Sequence, residues 1–243
     1  MPARILAIAN RKGGVGKTTT AIHLAATLAI GSRRSLILDL DPQATATRAL
    51  GFLASGGIPE GQAVGSDGGD RVRKTSDPGV DLVPGGPETS LAGGAAAGTW
   101  IASLIAREQA KYDFVFLDCP PSATDLILEA VGCAPEILVP TVCEPYAADG
   151  VQSMIELVST ARGAAQKDVG VLITMFDPTQ AFAWDVARRI REEMGLRVWR
   201  AVIPRDPTVP RAAARGRTVI QEDPCSQAAV GYIELAREVL DHG

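Results

Sequence analysis

Residues 4–19 read Arg-Ile-Leu-Ala-Ile-Ala-Asn-Arg-Lys-Gly-Gly-Val-Gly-Lys-Thr-Thr. Arg4–Ala9 is a short apolar run, and Thr18–Ala29 is rich in Ala and Leu. The order is strand, glycine-rich loop, helix. Gly13, Gly14 and Gly16 let the backbone turn tightly and approach a ligand without a Cβ clash. The loop N–H groups and a helix N-terminus near Lys17 favour negative charge at that point. Lys17 can reach the β- and γ-phosphates of a nucleotide, and the Thr18 hydroxyl can face Mg2+. Gly13, Gly14, Val15, Gly16, Lys17, Thr18 and Thr19 are therefore the expected nucleotide contacts. The usual spacing is Gly-x-x-x-x-Gly-Lys-Ser/Thr. Here Arg11 stands at the first glycine, and a second lysine, Lys12, lies inside the loop.

Outward from this loop the pattern repeats. Ser35–Leu40, Val80–Val83, Phe114–Leu117, Ile137–Val142, Val169–Met175 and Val198–Ile203 read as strands. Trp100–Ala110, Val151–Arg162, Phe182–Met194 and Ser226–Leu240 read as helices. The alternation predicts an α/β P-loop NTPase fold: a mostly parallel twisted sheet with helices on both faces, in a single domain over 1–243. Ligands then sit beyond the C-terminal ends of the strands. Gly56–Gly98 holds 12 of the 25 glycines, so about 54–98 is expected to be less regular.

The chain has 243 residues, 46% of them apolar, enough for a sizeable core. None of its four cysteines lies in a Cys-x-x-Cys pair, which argues against zinc and for reduced cytosolic thiols. Residues 1–10 lack the layout of a signal peptide. No apolar run approaches the ~20 residues of a membrane span. Glu234, Arg237, Glu238 and Asp241 give the last segment mixed charge, unlike a basic membrane-binding helix. No membrane partner is expected.

Two further stretches carry carboxylates. Leu36–Gln43 reads Leu-Ile-Leu-Asp-Leu-Asp-Pro-Gln, and Phe114–Ser122 reads Phe-Val-Phe-Leu-Asp-Cys-Pro-Pro-Ser. Asp118 closes an apolar strand at a suitable distance after a phosphate loop, the pattern of an acid that holds Mg2+ through water. With Lys12 inside the loop, the chain resembles the ParA/MinD family of deviant Walker-A ATPases, closest to the small ParA/Soj type. The likeness extends through Pro140–Gly150, Leu172–Asp177 and Val202–Arg205. It implies that Lys12 reaches across a nucleotide-sandwich homodimer to the partner's phosphates. It places Asp39 near the Mg2+ shell and makes Asp41 the residue that orients the attacking water. It puts Met175 and Pro204 at the border of the adenine, with Asp206 beside them. Two departures stand out: Ala44-Thr45 replaces the usual Gly-Asn, and Thr179 stands where relatives often carry arginine.

Residues 188–217 hold nine arginines and three acids, so this segment is +6 on a remainder of −10. Such asymmetry suggests a face for a polyanion. Arg205, Arg211, Arg215 and Arg217 are the candidate DNA contacts, to phosphates rather than bases. The expected function is an ATP-dependent dimerising switch that hydrolyses ATP slowly until a ParB-like adaptor stimulates it. It would bind non-specific DNA, remain cytoplasmic and nucleoid-associated, and position a plasmid, a chromosome origin or a protein organelle. The alternatives are a MinD-like positioning ATPase and a metabolic enzyme on the same fold, such as an iron–sulfur reductase component or a biotin-pathway synthetase.

Overall fold

The computed structural model describes residues 2–52, 71–87, 89, 97–162 and 169–242. The first half runs β1 (Arg4–Ile8), α1 (Lys17–Ile30), β2 (Ser35–Asp39), α2 (Thr45–Ala49), β3 (Arg73–Lys74), β4 (Val80–Val83) and α3 (Ala97–Glu108). The second half runs β5 (Phe114–Asp118), α4 (Thr124–Cys133), β6 (Glu136–Val142), α5 (Ala147–Arg162), β7 (Val169–Phe176) and α6 (Ala181–Met194). It closes with β8 (Val198–Pro204), α7 (Thr208–Ala213), α8 (Val219–Glu222) and α9 (Gln227–Asp241). Helices α2, α4, α7 and α8 and the short strand β3 are additions to the elements expected from sequence. Of the 54–98 segment, the strand expected at Val80–Val83 is present; much of the remainder lies outside the described residues.

The strands form one sheet in the order β3-β4-β2-β5-β1-β6-β7-β8. All neighbours pair in parallel except β3 with β4. Successive strand residues point to opposite faces, and here both faces are apolar. In β1, Ile5 and Ala7 join a core shared with α3, α4, α5 and α6. Leu6 and Ile8 join a second core beneath α1 and α9. Phe116 is fully buried in that second core; truncating it to alanine would cost about 3–5 kcal/mol. Strand β8 forms one edge of the sheet. There the Glu238 carboxylate of α9 accepts the N–H groups of Arg200 at 2.8 Å and Ala201 at 2.9 Å.

Candidate nucleotide-binding site

Strand β1 lies between β5 and β6, so the glycine-rich loop emerges at the centre of the sheet. Gly14 has φ 71° and Gly16 has φ 84°, left-handed values that favour glycine. Asn10 braces the loop from below: its side-chain amide donates to Pro140 O at 2.8 Å, and its oxygen accepts the Lys12 N–H at 2.9 Å. From β7, the Thr174 hydroxyl donates to Val15 O at 2.8 Å. The N-cap residue of α1 is Gly16, which has no side chain to cap it, and the first turn holds no acid. That end of the helix is open to an anion. Lys17 is buried, and its ammonium donates to Lys12 O at 2.9 Å, inside the curl of the loop. Burial depresses its pKa, opposed chiefly by the nearby Asp118.

Strand register assembles the acids. Asp118 at the end of β5 pairs with Ile8 of β1 on one side and with Asp39 of β2 on the other. Asp118 is 0% exposed, and among the described residues neither carboxylate oxygen has a hydrogen-bond partner of ordinary geometry. Burial first, and then the Asp39 charge, push its pKa well up; the nearby Thr18 hydroxyl and Lys17 oppose the rise. Asp39 is held by α2, accepting the Thr47 N–H at 2.8 Å and its hydroxyl at 2.7 Å. Burial also raises Asp39, against these donors. A buried carboxylate without a partner is costly. With Asp39 and Thr18 beside it, Asp118 offers the oxygen ligands a hard divalent cation prefers. Among the described residues, no cluster of three or more His, Cys, Asp or Glu could hold a metal ion. A bound Mg2+ would therefore complete its shell with water and phosphate oxygens.

Asp41 lies just beyond β2. Its carboxylate accepts the Gln43 N–H at 2.9 Å and the Thr45 hydroxyl at 2.8 Å. Ala44, between these two donors, has φ 52°.

A family model described as an AAA domain matches residues 3–171. A chromosome-partitioning ATPase Soj from Thermus thermophilus is 37% identical, over 98% of this chain and 95% of its own length. The chain belongs to the ParA/MinD family of P-loop ATPases. A chromosome partitioning protein ParA from Caulobacter vibrioides is 34% identical over 98% of this chain and 94% of its own length. Among solved structures, a cobyrinic acid a,c-diamide synthase from Mycobacterium smegmatis with bound ADP and magnesium superposes with a TM-score of 0.79. It shares 27% identity and covers 99% of this chain and 95% of its own.

Other expected positions of this ParA-family chain fall as follows. Lys12 lies at the rim of the loop, its ammonium paired with Glu144 and its side chain 48% exposed. A cleft of about 490 Å³ opens there, lined by Asn10, Arg11, Lys12, Ser122, Thr124 and others. Two larger concavities, about 550 and 590 Å³, lie elsewhere and contain no loop residue. The site is thus defined by loop and acids, not by cavity volume. Met175 has φ 50°, and its methyl group lies 3.5 Å from where a Cβ on Gly16 would sit. Pro204 pairs with Phe176 at the end of β8, and the next N–H, from Arg205, donates to Phe176 O at 2.9 Å. Asp206 works as a cap, with its two oxygens accepting the N–H groups of Thr208 at 2.8 Å and Ala228 at 2.9 Å. Burial raises its carboxyl, but these donors outweigh it and hold the pKa below the usual range. Thr179 closes the turn into α6 by donating to Asp177 at 2.6 Å.

The arginines are exposed but not idle. Arg211, Arg215 and Arg217 all converge on Glu222, whose side chain is 5% exposed, at 3.2, 2.5 and 3.5 Å. Glu222 lies five residues past the charge-rich window, so the window overstated the net charge of this face. Sequence reading also gave no role to Asn10, Thr47, Thr174 and Glu144, the last two lying in stretches noted only for their family likeness. The one available signal among them was Asn10 directly before the loop, a residue type that bonds its own backbone two positions on.

Proposed function

We propose that this chain is an ATP-dependent switch of the ParA type, acting as one ATPase domain. The observation that carries the reading is Asp118, buried at the end of β5 with no partner of ordinary geometry among the described residues, and close to Thr18 and Lys17 of the phosphate loop. ATP would lie with its phosphates on the loop amides and on Lys17. Thr18, Asp39 and Asp118 would hold Mg2+, whose charge offsets that of the phosphates. Asp41 would orient a water for in-line attack. The water oxygen bonds to the γ-phosphorus while the bond to the β–γ bridging oxygen breaks. That electron pair leaves with ADP, and the water protons go to phosphate and solvent. Positioning and charge stabilisation dominate such transfers, so one well-placed carboxylate is sufficient.

Lys12 is the second part of the proposal. Its exposed ammonium would leave Glu144 and reach the phosphates of a second copy, closing a homodimer. The dimer would bind non-specific DNA through arginines from Arg205 to Arg217, with Met175 and Pro204 bordering the adenine of each subunit. An adaptor of the ParB kind would then raise a slow basal turnover. The relatives named as chromosome-partitioning proteins support this assignment, and with it a cytoplasmic, nucleoid-associated life. Among the described residues, no helix is long and apolar enough to cross a membrane.

The test is light scattering and DNA co-sedimentation with ATP, with ADP and without nucleotide. ATP alone should give the dimer and the DNA complex. Lys12→Ala should bind ATP yet remain monomeric. A normal ATP dimer from that variant would make Lys12 an ordinary loop residue. The likeness to a diamide synthase supports a second reading, a small-molecule enzyme on this fold. That reading requires ATP turnover dependent on a carboxylic acid substrate rather than on DNA or an adaptor.

A further inference from the structure

We propose that the Thr45 hydroxyl is a positioning group for ATP hydrolysis, acting through Asp41. The proposal rests on the reading of Asp41 as the residue that directs the attacking water. Three bonds tie Asp41 to the residues that follow it. The Ala44 N–H donates to Asp41 O at 2.8 Å, closing a four-residue turn. The Gln43 N–H donates to Oδ1 at 2.9 Å, and the Thr45 hydroxyl to Oδ2 at 2.8 Å. One bond on each oxygen fixes both side-chain torsions of the aspartate. A carboxylate oxygen has two acceptor sites, so each oxygen keeps one for water. The Gln43 bond is local to the turn and comes from the backbone. Thr45 supplies the side-chain donor, and it alone can be removed without rebuilding the loop.

Thr45 is itself held from both sides. It opens α2, and α2 is anchored two residues later where Thr47 donates its N–H and its hydroxyl to Asp39. The short helix thus carries one threonine on each of two neighbouring carboxylates. The backbone enters it through Ala44 at φ 52°, a left-handed conformation that is unfavourable for alanine. That turn is what brings residue 45 back over Asp41. The fold therefore sustains an unfavourable backbone angle at the step that sets the Asp41–Thr45 contact.

The test compares Thr45→Val, which keeps the branched shape without the hydroxyl, with Thr45→Ser, which restores the donor. Single-turnover hydrolysis and the affinity for a non-hydrolysable ATP analogue are measured for each, and again with Asp41→Ala added. Thr45→Val should lower the hydrolysis rate about tenfold, since small misplacements of a catalytic group have effects of this size or more. Its analogue affinity should stay within about twofold of the parent, and Thr45→Ser should recover most of the rate. On an Asp41→Ala background, Thr45→Val should have no further effect, as for two residues acting as one unit. A Thr45→Val rate that is unchanged or raised overturns the proposal. So does an equal loss of rate and affinity, or an additive effect on the Asp41→Ala background. If thermal melting shows Thr45→Val unfolded, Thr45→Ala takes its place. Asp41→Ala that hydrolyses ATP at the parent rate overturns the Asp41 reading and the Thr45 proposal together. Slow Asp41→Ala with normal Thr45→Val overturns only the role of Thr45.

Discussion

The acidic end of the sheet and the arginine-rich loop both stand out in the sequence, but their charges are in opposite condition. Asp118 is buried, and among the described residues neither of its oxygens has a hydrogen-bond partner of ordinary geometry; a second buried carboxylate lies beside it. Arg211, Arg215 and Arg217 are exposed and already share one glutamate, Glu222. A buried carboxylate of this kind is expensive to ionise, and a cation bound beside it would offset that cost. Exposed charges matched within the chain are worth little to stability and prove little by themselves. On the proposed reading, a cation at the first site would complete a set of ligands. A polyanion at the second has to compete with Glu222 for the same guanidinium groups.

Breaking the acidic end of this comparison should have the largest effect. Lys17→Ala removes the cation on the phosphates and should weaken ATP binding by about 10²–10³-fold, roughly 3–4 kcal/mol. Calorimetry showing near-normal ATP affinity would mean that the loop and acids are not a nucleotide site. The arginine loop should respond less. Arg215→Glu/Arg217→Glu should weaken ATP-dependent DNA binding about tenfold at low salt. It should also lower the log–log salt slope by about 1.8, two contacts at ~0.9 each. An unchanged slope in a variant that still dimerises would place the DNA surface elsewhere. The smallest effect is the most specific. Glu222→Gln should tighten DNA binding about threefold, because the guanidinium groups no longer have a competing charge. Weaker binding from a folded Glu222→Gln protein would show that Glu222 presents the arginines rather than restraining them.

The sheet was legible because its strands are short apolar runs ending in acids or glycine-rich turns, and the observed boundaries of β1, β5 and β8 differ by one residue. The phosphate loop was legible because its chemistry is contiguous in sequence. What stayed hidden depends on distance in space. Thr47 meets Asp39 across eight residues, and Thr174 meets Val15 across 159. Counting arginines along the chain added charges that Glu222 offsets in three dimensions. Helix α4 was passed over although Leu126, Ile127, Ala130 and Val131 recur with helical spacing and are all buried. It is a ten-residue element, between prolines at 120–121 and 135, and its signal is correspondingly short. The resemblance sets Asp206 beside the adenine; the capping bonds its oxygens accept from two helix N-termini were not legible in the sequence.

Among the described residues, strand β8 has one strand neighbour, β7, and its other side forms the edge of the sheet. Open strand edges are templates: an extended segment of another chain can join them and continue the sheet. Glu238 lies across this one, its two oxygens occupying the adjacent N–H groups of Arg200 and Ala201. A strand arriving at Arg200 and Ala201 would have to displace that carboxylate before bonding to these two groups. The closing helix therefore acts as a guard against aggregation, at the rim of the sheet farthest from β3.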